Sequence, residues 1–179
     1  MQSAFTQPIR TFIAIELPAE VKNDLRQLVT ILNNYNACPA KWVDSEAIHL
    51  TLKFLGNIGP DKIDLIRQIM REAAAATGPF RLQLGGLGAF PNLNRAQVVW
   101  VGIKGDLANL EALQQKLDQG LSGAGFTPER RPFTPHLTLA RVRETVTLSQ
   151  RQILGERISG QVWESSLKIN VNENIFYFS

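Results

Sequence analysis

A repeated tetrapeptide is the strongest constraint on how this 179-residue chain can fold. The segments His49-Leu-Thr-Leu and His136-Leu-Thr-Leu are identical, and they contain the only two histidines of the sequence. At ordinary residue frequencies, a second histidine followed by the same three residues arises by chance on the order of once in a thousand. The repeat therefore predicts two equivalent structural units that carry one histidine each.

Each copy is typical of a β-strand with one apolar face. Side chains alternate between the two faces of a strand, so His49 and Thr51 share one face. Leu50, Leu52 and Phe54 share the opposite face and are expected in the core. A single histidine on such a strand is most often a partly buried residue bonded to a neighbouring carbonyl. Because the pattern is duplicated, we instead expect the two polar His/Thr faces to meet at one cleft.

The order of predicted elements also repeats, with strand, helix, histidine strand, helix and strand in each half. We therefore expect one domain over 1–179, built of two similar lobes at about 10–90 and 96–179 and related by pseudo-two-fold symmetry around a shared cleft. Glycine predicts strand ends at Gly56 and at Gly85–Gly88. Leu167–Phe178 is predicted as one closing strand.

Apolar residues at helical spacing predict four helices. Asp106 is expected to cap the third helix, and Ser149 with Gln152 the fourth. The predicted helices run from Pro18 to about Asn33, from Gly59 to Gly78, from Asp106 to Gly123, and over Ser149–Arg157.

The composition is that of an ordinary globular protein, with 44% apolar and 20% charged residues. A net charge of +3 without any long basic run suits an anionic ligand such as a phosphate. One cysteine, Cys38, excludes an internal disulfide and suits a reducing compartment. Since no signal-peptide core or membrane-span-length apolar run is present, we expect a cytoplasmic protein.

Four segments in combination resemble a known family. Paired His-x-Thr-x motifs on a duplicated α+β body are similar to the two-histidine phosphoesterase superfamily, and the full set resembles the RNA 2′,3′-cyclic phosphodiesterases of bacteria and archaea, also called 2′-5′ RNA ligases. The likeness spans nearly the whole chain and implies an α+β fold with mainly antiparallel sheets, outer helices and a central cleft. The segments are Trp42-Val43, His49-Leu-Thr-Leu-Lys-Phe-Leu-Gly, Gly86-Leu-Gly-Ala-Phe-Pro and Arg131-Pro-Phe-Thr-Pro-His-Leu-Thr-Leu-Ala-Arg.

The resemblance implies that the two histidines share acid and base catalysis. His49 would protonate the leaving 3′ oxygen and His136 would accept a proton from water, giving a 2′-phosphate. Histidine suits both roles because it changes protonation near neutral pH. Thr51 and Thr138 each offer a hydroxyl donor to the phosphate oxygens, although β-branched residues also simply favour strands.

Two basic residues near the motifs are further substrate-binding candidates. Arg141 matches a family arginine that would stabilise phosphate charge, but strict alternation places it opposite His136, so the strand must end or bulge there. Lys53 shares the His49 face by alternation and is either an electrostatic aid or a solvated edge lysine. Arg130 and Arg131 either follow the RNA backbone or are solvated loop charges.

We expect no metal, because two histidines without clustered carboxylates or thiolates make an incomplete zinc site. No phosphate-binding Gly-x-x-x-x-Gly-Lys-Ser/Thr loop is present, so any ligation would be ATP-independent. The expected partner is RNA ending in a 2′,3′-cyclic phosphate, for example tRNA halves, and the expected state is a monomer without membrane attachment. Two alternatives remain: a related phosphodiesterase acting on small cyclic nucleotides or 2′-5′ oligoadenylates, and a non-catalytic RNA-end-binding protein.

Overall fold

A computed structural model describes residues 9–33, 40–172 and 176–178. In these ranges, eight strands and four α-helices are present. The strands are β1 (Ile9–Ile15), β2 (Ala40–Trp42), β3 (Leu50–Ile58), β4 (Phe80–Phe90), β5 (Val98–Gly105), β6 (His136–Val142), β7 (Glu164–Val171) and β8 (Phe176–Phe178). The helices are α1 (Ala19–Asn33), α2 (Ile63–Thr77), α3 (Leu107–Gly123) and α4 (Leu148–Ser159). Cys38 lies outside the described residues.

The strands form two antiparallel sheets, which confirms the predicted α+β class. The smaller sheet has the order β3-β1-β8, and the larger has the order β2-β6-β5-β4-β7. The sheets do not coincide with the two halves of the sequence. β2 and β4 come from the first half yet lie in the larger sheet, while β8 comes from the second half and extends the smaller one.

The helices pack on these sheets and on one another. α1 contacts β7, α3 contacts β3 and β4, α2 packs on α3, and α4 packs against β4 and the turn at Leu93–Arg95. Within the described ranges, none of the helices combines the length and apolar composition that a bilayer-spanning segment needs.

All four predicted helices are present, and Asp106 holds the predicted N-cap position of α3. Its carboxylate, however, accepts a hydrogen bond from the Arg81 backbone N–H at 2.9 Å and makes no capping bond within the helix. α4 starts one residue early, and Thr147 with Gln150 forms its capping box. The predicted capping pair, Ser149 with Gln152, is therefore wrong by two positions.

Glycine does not end the strands where the sequence predicted. β3 continues through Gly56, which adopts φ +72°, and β4 runs unbroken through Gly85–Gly88. Both places carry a register shift, so the glycines accommodate bulges within strands rather than turns between them. The predicted strand Leu167–Phe178 is also divided into β7 and β8, which lie in different sheets.

One continuous apolar core joins the two sheets to the helices. The leucines of both repeats lie in it: Leu50, Leu52, Leu137 and Leu139 are each at most 4% exposed. Phe54 was expected beside them but is 65% exposed. The local geometry that turns Phe54 outward also shapes the candidate site.

Candidate active site

A cavity of about 990 Å³ lies where the motif strands β3 and β6 approach each other. His49, Thr51, His136 and Thr138 all line it. The two polar faces predicted from the repeat therefore meet at one cleft. Arg141 lines the same cavity.

The two repeats adopt the same local structure over six residues, 49–54 and 136–141. Position by position, both segments are half-buried, buried, half-buried, buried, buried and exposed. In each, the second leucine is an extra residue with no partner on the neighbouring strand: Leu52 against β1 and Leu139 against β5. A bulge of this kind reverses the alternation of the residues that follow it. The repeat thus encodes two bulged strands rather than two regular ones.

The bulges decide which side chains reach the cleft. Arg141 is turned to the same cavity as His136, as the prediction of a bulge at this point required. Phe54 holds the corresponding sixth position of the first repeat and is turned to the cavity for the same reason. Its predicted place in the core is wrong because regular alternation was assumed through Leu52. The cleft thus carries an aromatic group on one side and a guanidinium on the other.

The fifth position of each repeat is turned inward by the same bulge. It is Ala140 in β6 and Lys53 in β3, and Lys53 is only 5% exposed. The Lys53 ammonium binds the Asp118 carboxylate and donates to the Thr127 carbonyl at 2.8 Å. Lys53 borders the cavity, and its burial excludes one of the two alternatives that the sequence left open, the solvated edge lysine.

Each histidine is held by a carbonyl two residues before it. The His136 Nδ1–H donates to the Thr134 carbonyl at 2.7 Å, and a backbone hydrogen bond joins the His49 ring to Ala47. Since a carbonyl only accepts, the bonded ring nitrogen carries the proton, and this fixes the tautomer of each neutral ring. The two imidazoles are therefore fixed in equivalent ways.

The aromatic surroundings of the two rings differ. Phe12 on β1 stacks on His49, with ring centroids 4.5 Å apart and planes 16° apart. Phe90 meets His136 edge-on at 4.8 Å. Trp100 supports Phe90 at 5.4 Å, and its ring lies over Gly88, where a Cβ would come within 2.3 Å of it. This close approach explains one glycine of the Gly86–Pro91 segment.

Burial beneath Phe12 and its neighbours has an electrostatic effect on His49. Desolvation is the largest cause and lowers the pKa of His49 below its ordinary value, and the positive charge of Lys22 adds to this. The hydrogen bond to Ala47 and the negative charge of Glu16 oppose the shift without cancelling it. In the free protein, the imidazolium of His49 is thus disfavoured.

Phe12→Ala is expected to raise the pKa of His49 towards its ordinary value, because water then hydrates the charged ring. NMR titration of the imidazole signals measures this directly, since the chain has only two histidines. The signal of His136, which packs on other aromatic residues, is the internal control. A His49 pKa that stays the same or falls in Phe12→Ala would contradict the assignment to burial.

The remaining site residues are arranged for an anionic ligand. Arg10 and Arg131 line the cavity together with Arg141, and Glu129 is the acidic side chain among the lining residues. Arg130 does not line it. Among the described residues, neither Arg141 nor the hydroxyls of Thr51 and Thr138 form a hydrogen bond or ion pair with protein groups, so these groups are available to a ligand.

Among the residues that the structure describes, no three histidine, cysteine, aspartate or glutamate side chains gather in a way that could hold a metal ion. The donors that face the cavity are imidazoles, hydroxyls and guanidinium groups. These groups suit proton transfer and binding of phosphate oxygens.

Comparison with known proteins identifies the family. A family model described as the 2′-5′ RNA ligase superfamily matches residues 18–159. An RNA 2′,3′-cyclic phosphodiesterase from Methanothermobacter thermautotrophicus is 33% identical over 135 residues, which are 75% of this chain and 72% of that protein. The chain belongs to the 2′-5′ RNA ligase superfamily. A protein of the same name from Aeropyrum pernix is 38% identical over 109 residues, 61% of each chain.

Solved structures of the superfamily fold agree with this assignment. E. coli LigT complexed with 3′-AMP matches with a TM-score of 0.62 and 30% identity, covering 78% of this chain and 77% of that one. A protein from Thermus thermophilus matches with a TM-score of 0.70 and 24% identity, covering 95% of this chain and 87% of that one, which shows the shared fold. The family inferred from the sequence motifs is confirmed.

Sequence reasoning missed the residues that surround the histidines. Phe12, Arg10 and Gln114 line the cavity but belong to no repeated motif. Their proximity to the histidines depends on how β1 and α3 pack, which spacing along the chain does not reveal. Phe90 lies in the glycine-rich segment that supported the family resemblance, so a signal for it was present. Asp118, the partner of Lys53, has the ordinary appearance of a polar residue on a helix.

Proposed function

We propose that this protein hydrolyses the 2′,3′-cyclic phosphate at the end of an RNA strand to a 2′-phosphate. The observation that carries the proposal is the pair of equivalent histidines, each fixed by a carbonyl two residues earlier, at the border of one cavity. Relatives named RNA 2′,3′-cyclic phosphodiesterase support the choice of substrate. Both motifs come from one chain and border one cavity, so we expect the enzyme to act as a monomer with two lobes.

In the proposed reaction, one imidazole acts on each side of the phosphorus. Neutral His136 accepts a proton from water through Nε2 as the water oxygen bonds to phosphorus. The negative charge of the bound phosphate favours the His49 imidazolium, which burial disfavours in the free protein. As the bond from phosphorus to the 3′ oxygen breaks, this imidazolium gives its proton to that oxygen, leaving a 3′-hydroxyl and a 2′-phosphate. Proton exchange with solvent then restores both rings. The direction of this assignment follows from the family resemblance.

The threonines and Arg141 would stabilise the phosphate as charge builds on its non-bridging oxygens. Thr51 and Thr138 are placed beside their histidines in both repeats, and their hydroxyls have no hydrogen-bond partner among the described residues. Arg141, also without such a partner, offers two parallel N–H donors to a phosphate. Phe54 on the opposite side presents an exposed ring against which a nucleobase can stack.

The same acid and base could also join RNA ends. If a 5′-hydroxyl takes the place of water, the product is a 2′-5′ linkage with a free 3′-hydroxyl, and no ATP is consumed. The cavity of about 990 Å³ is near the upper end of the roughly 300–1,000 Å³ common for ligand sites, which favours more than a single mononucleotide. Ligation is thus a second reaction of the proposed site.

The proposed hydrolysis is tested with an oligoribonucleotide that ends in a 2′,3′-cyclic phosphate, for example a tRNA half. We expect conversion to a 2′-phosphate, identified by phosphorus NMR. Addition of a strong chelator should change turnover by no more than about twofold, because imidazoles rather than a metal-bound water move the protons. Strict dependence on an added divalent ion would contradict this mechanism.

Parallel assays separate the alternatives. Faster turnover of 2′,3′-cyclic mononucleotides or of 2′-5′ oligoadenylates than of the RNA would indicate a related phosphodiesterase. Binding of the RNA end without turnover of any of these compounds would indicate a non-catalytic binding protein. RNA ending in a 3′-phosphate is the matched control, because it has the same chain but no strained ring to open.

A further inference from the structure

The segment between α3 and the second motif strand has no regular secondary structure, yet it carries part of the cavity wall. Residues 126–135 are neither helix nor strand, and Arg131, Phe133 and Thr134 of this segment line the cavity. Thr134 also provides the carbonyl that fixes His136. The position of this segment therefore bears on the binding surface and on one proposed catalytic ring.

A chain of hydrogen bonds anchors the start of the segment. The Lys53 ammonium donates to the Thr127 carbonyl at 2.8 Å and also binds the Asp118 carboxylate. Asp118 Oδ1 accepts the Glu129 backbone N–H at 3.0 Å. The Glu129 carboxylate in turn accepts the backbone N–H groups of the next two residues, Arg130 at 3.0 Å and Arg131 at 3.1 Å.

Lys53 and Asp118 form the buried end of this chain. The Lys53 side chain is 4% exposed and the Asp118 side chain 21%. Burial alone would raise the pKa of Asp118, but the hydrogen bonds from Lys53 and from the Glu129 N–H outweigh it and lower the pKa below its ordinary value. Asp118 is therefore charged at neutral pH and binds both the lysine and the segment.

We propose that Lys53 is a positioning residue that ties the first motif strand to the segment leading into the second motif. Lys53 follows the bulge at Leu52 and borders the cavity, but its ammonium group binds Asp118 on α3. Its equivalent in the second repeat is Ala140, which has no charged group to form the same connection. Lys53 acts on the reaction through Arg131 and His136, not by contact with substrate. This role rests on the proposed function.

Loss of the anchor is first measured without any substrate. Trypsin can cleave after Arg130 but not after Arg131, because Pro132 follows it. In Lys53→Met, we expect faster cleavage after Arg130 than in the wild-type protein. We also expect the Nδ1–H signal of His136 to broaden in NMR spectra while the His49 signal stays sharp, since only His136 is bonded to the anchored segment.

The effect on activity is measured with the cyclic-phosphate RNA. We expect Lys53→Met to lower kcat/KM by roughly 10- to 100-fold, because a displacement of about 1 Å at a reacting group can cost this much. Asp118→Asn keeps a side-chain oxygen that can accept from Lys53 and from the Glu129 N–H. We therefore expect a smaller decrease in kcat/KM for Asp118→Asn than for Lys53→Met. The control for reduced stability is Leu28→Ala, which changes a buried residue of α1 distant in sequence from the segment. This variant should keep the low rate of cleavage after Arg130.

A double variant keeps the test valid if Lys53→Met folds poorly. Lys53→Met with Asp118→Leu removes both buried charges, which is often neutral for stability, but it also removes the anchor. It should regain thermal stability while trypsin sensitivity stays high and kcat/KM stays low. Recovery of activity together with stability would overturn the positioning role. A folded Lys53→Met protein with wild-type protection at Arg130 would also overturn the positioning role.

If the wild-type protein has no turnover, the proposed function fails, whereas the proteolysis and NMR results still report on the anchor.

Discussion

His49→Ala and His136→Ala are each expected to lower turnover of the cyclic-phosphate RNA by roughly 10²- to 10⁴-fold. Without His136 no group accepts the proton of the attacking water, and without His49 the leaving oxygen departs unprotonated. Each variant should keep the fold, because the strands are held by the leucines of the opposite face, which are almost fully buried. The measurement is steady-state turnover beside circular dichroism of the same samples.

The double variant gives a sharper result than either single one. Groups that act as a unit are not additive, so removing both histidines should be scarcely worse than the more damaging single replacement. In the wild-type protein, the rate should follow a bell-shaped pH profile, and each single variant should lose one limb of the bell. Asn57→Ala, an exposed residue of β3 outside the cavity, is the control. A folded His136→Ala protein with near-normal hydrolysis would disprove the paired mechanism.

Thr51→Val and Thr138→Val are expected to raise the barrier of the reaction by about 2 to 4 kcal/mol each, if each hydroxyl donates to a phosphate oxygen in the transition state. Valine has nearly the shape of threonine and favours strands, so the fold should not change. The loss should appear mainly in kcat, since charge on the oxygens builds during the reaction.

Serine variants provide the matched control for the threonines. Thr51→Ser and Thr138→Ser keep the hydroxyl and lose only a methyl group, so they should retain most of the activity. If the valine variants are as active as the serine variants, the threonines serve only to favour the strand, which is the simpler reading of their sequence position.

Repetition made the site predictable from sequence to an unusual degree. The pairing of His49 with His136 and of Thr51 with Thr138 at one cleft needed only the duplicated tetrapeptide and the alternation of strand side chains. A strand end or a bulge before Arg141 was predicted because a resemblance required its side chain on the His136 side, and the structure shows the bulge. The four helices were predicted from the spacing of apolar residues, because the pattern that indicates a helix lies within one continuous segment of the chain.

What the sequence did not predict depended on non-local contacts. The bulge at Leu52 arises in the pairing of β3 with β1, so Phe54 was wrongly assigned to the core and the burial of Lys53 was missed. The same is true of Phe12, whose stacking on His49 follows from the register of two strands that lie far apart in the chain. The bond made by the Asp106 carboxylate was missed because its donor, the Arg81 N–H, lies on a separate strand. The cap of α4 was placed two residues late because Thr147 and Gln150 have the same spacing as Ser149 and Gln152.

Each sheet contains strands from both halves of the sequence, and this affects how the chain folds during synthesis. During synthesis, β2 and β4 emerge early but cannot complete their sheet until β6 and β5 follow, and β1 lacks one neighbour until β8 appears. Contacts between such distant segments slow folding and leave strand edges unpaired in the meantime. Although the chain reads as a duplication, neither half contains all the strands of a sheet, so cutting the chain between β4 and β5 would produce two fragments that need each other to fold.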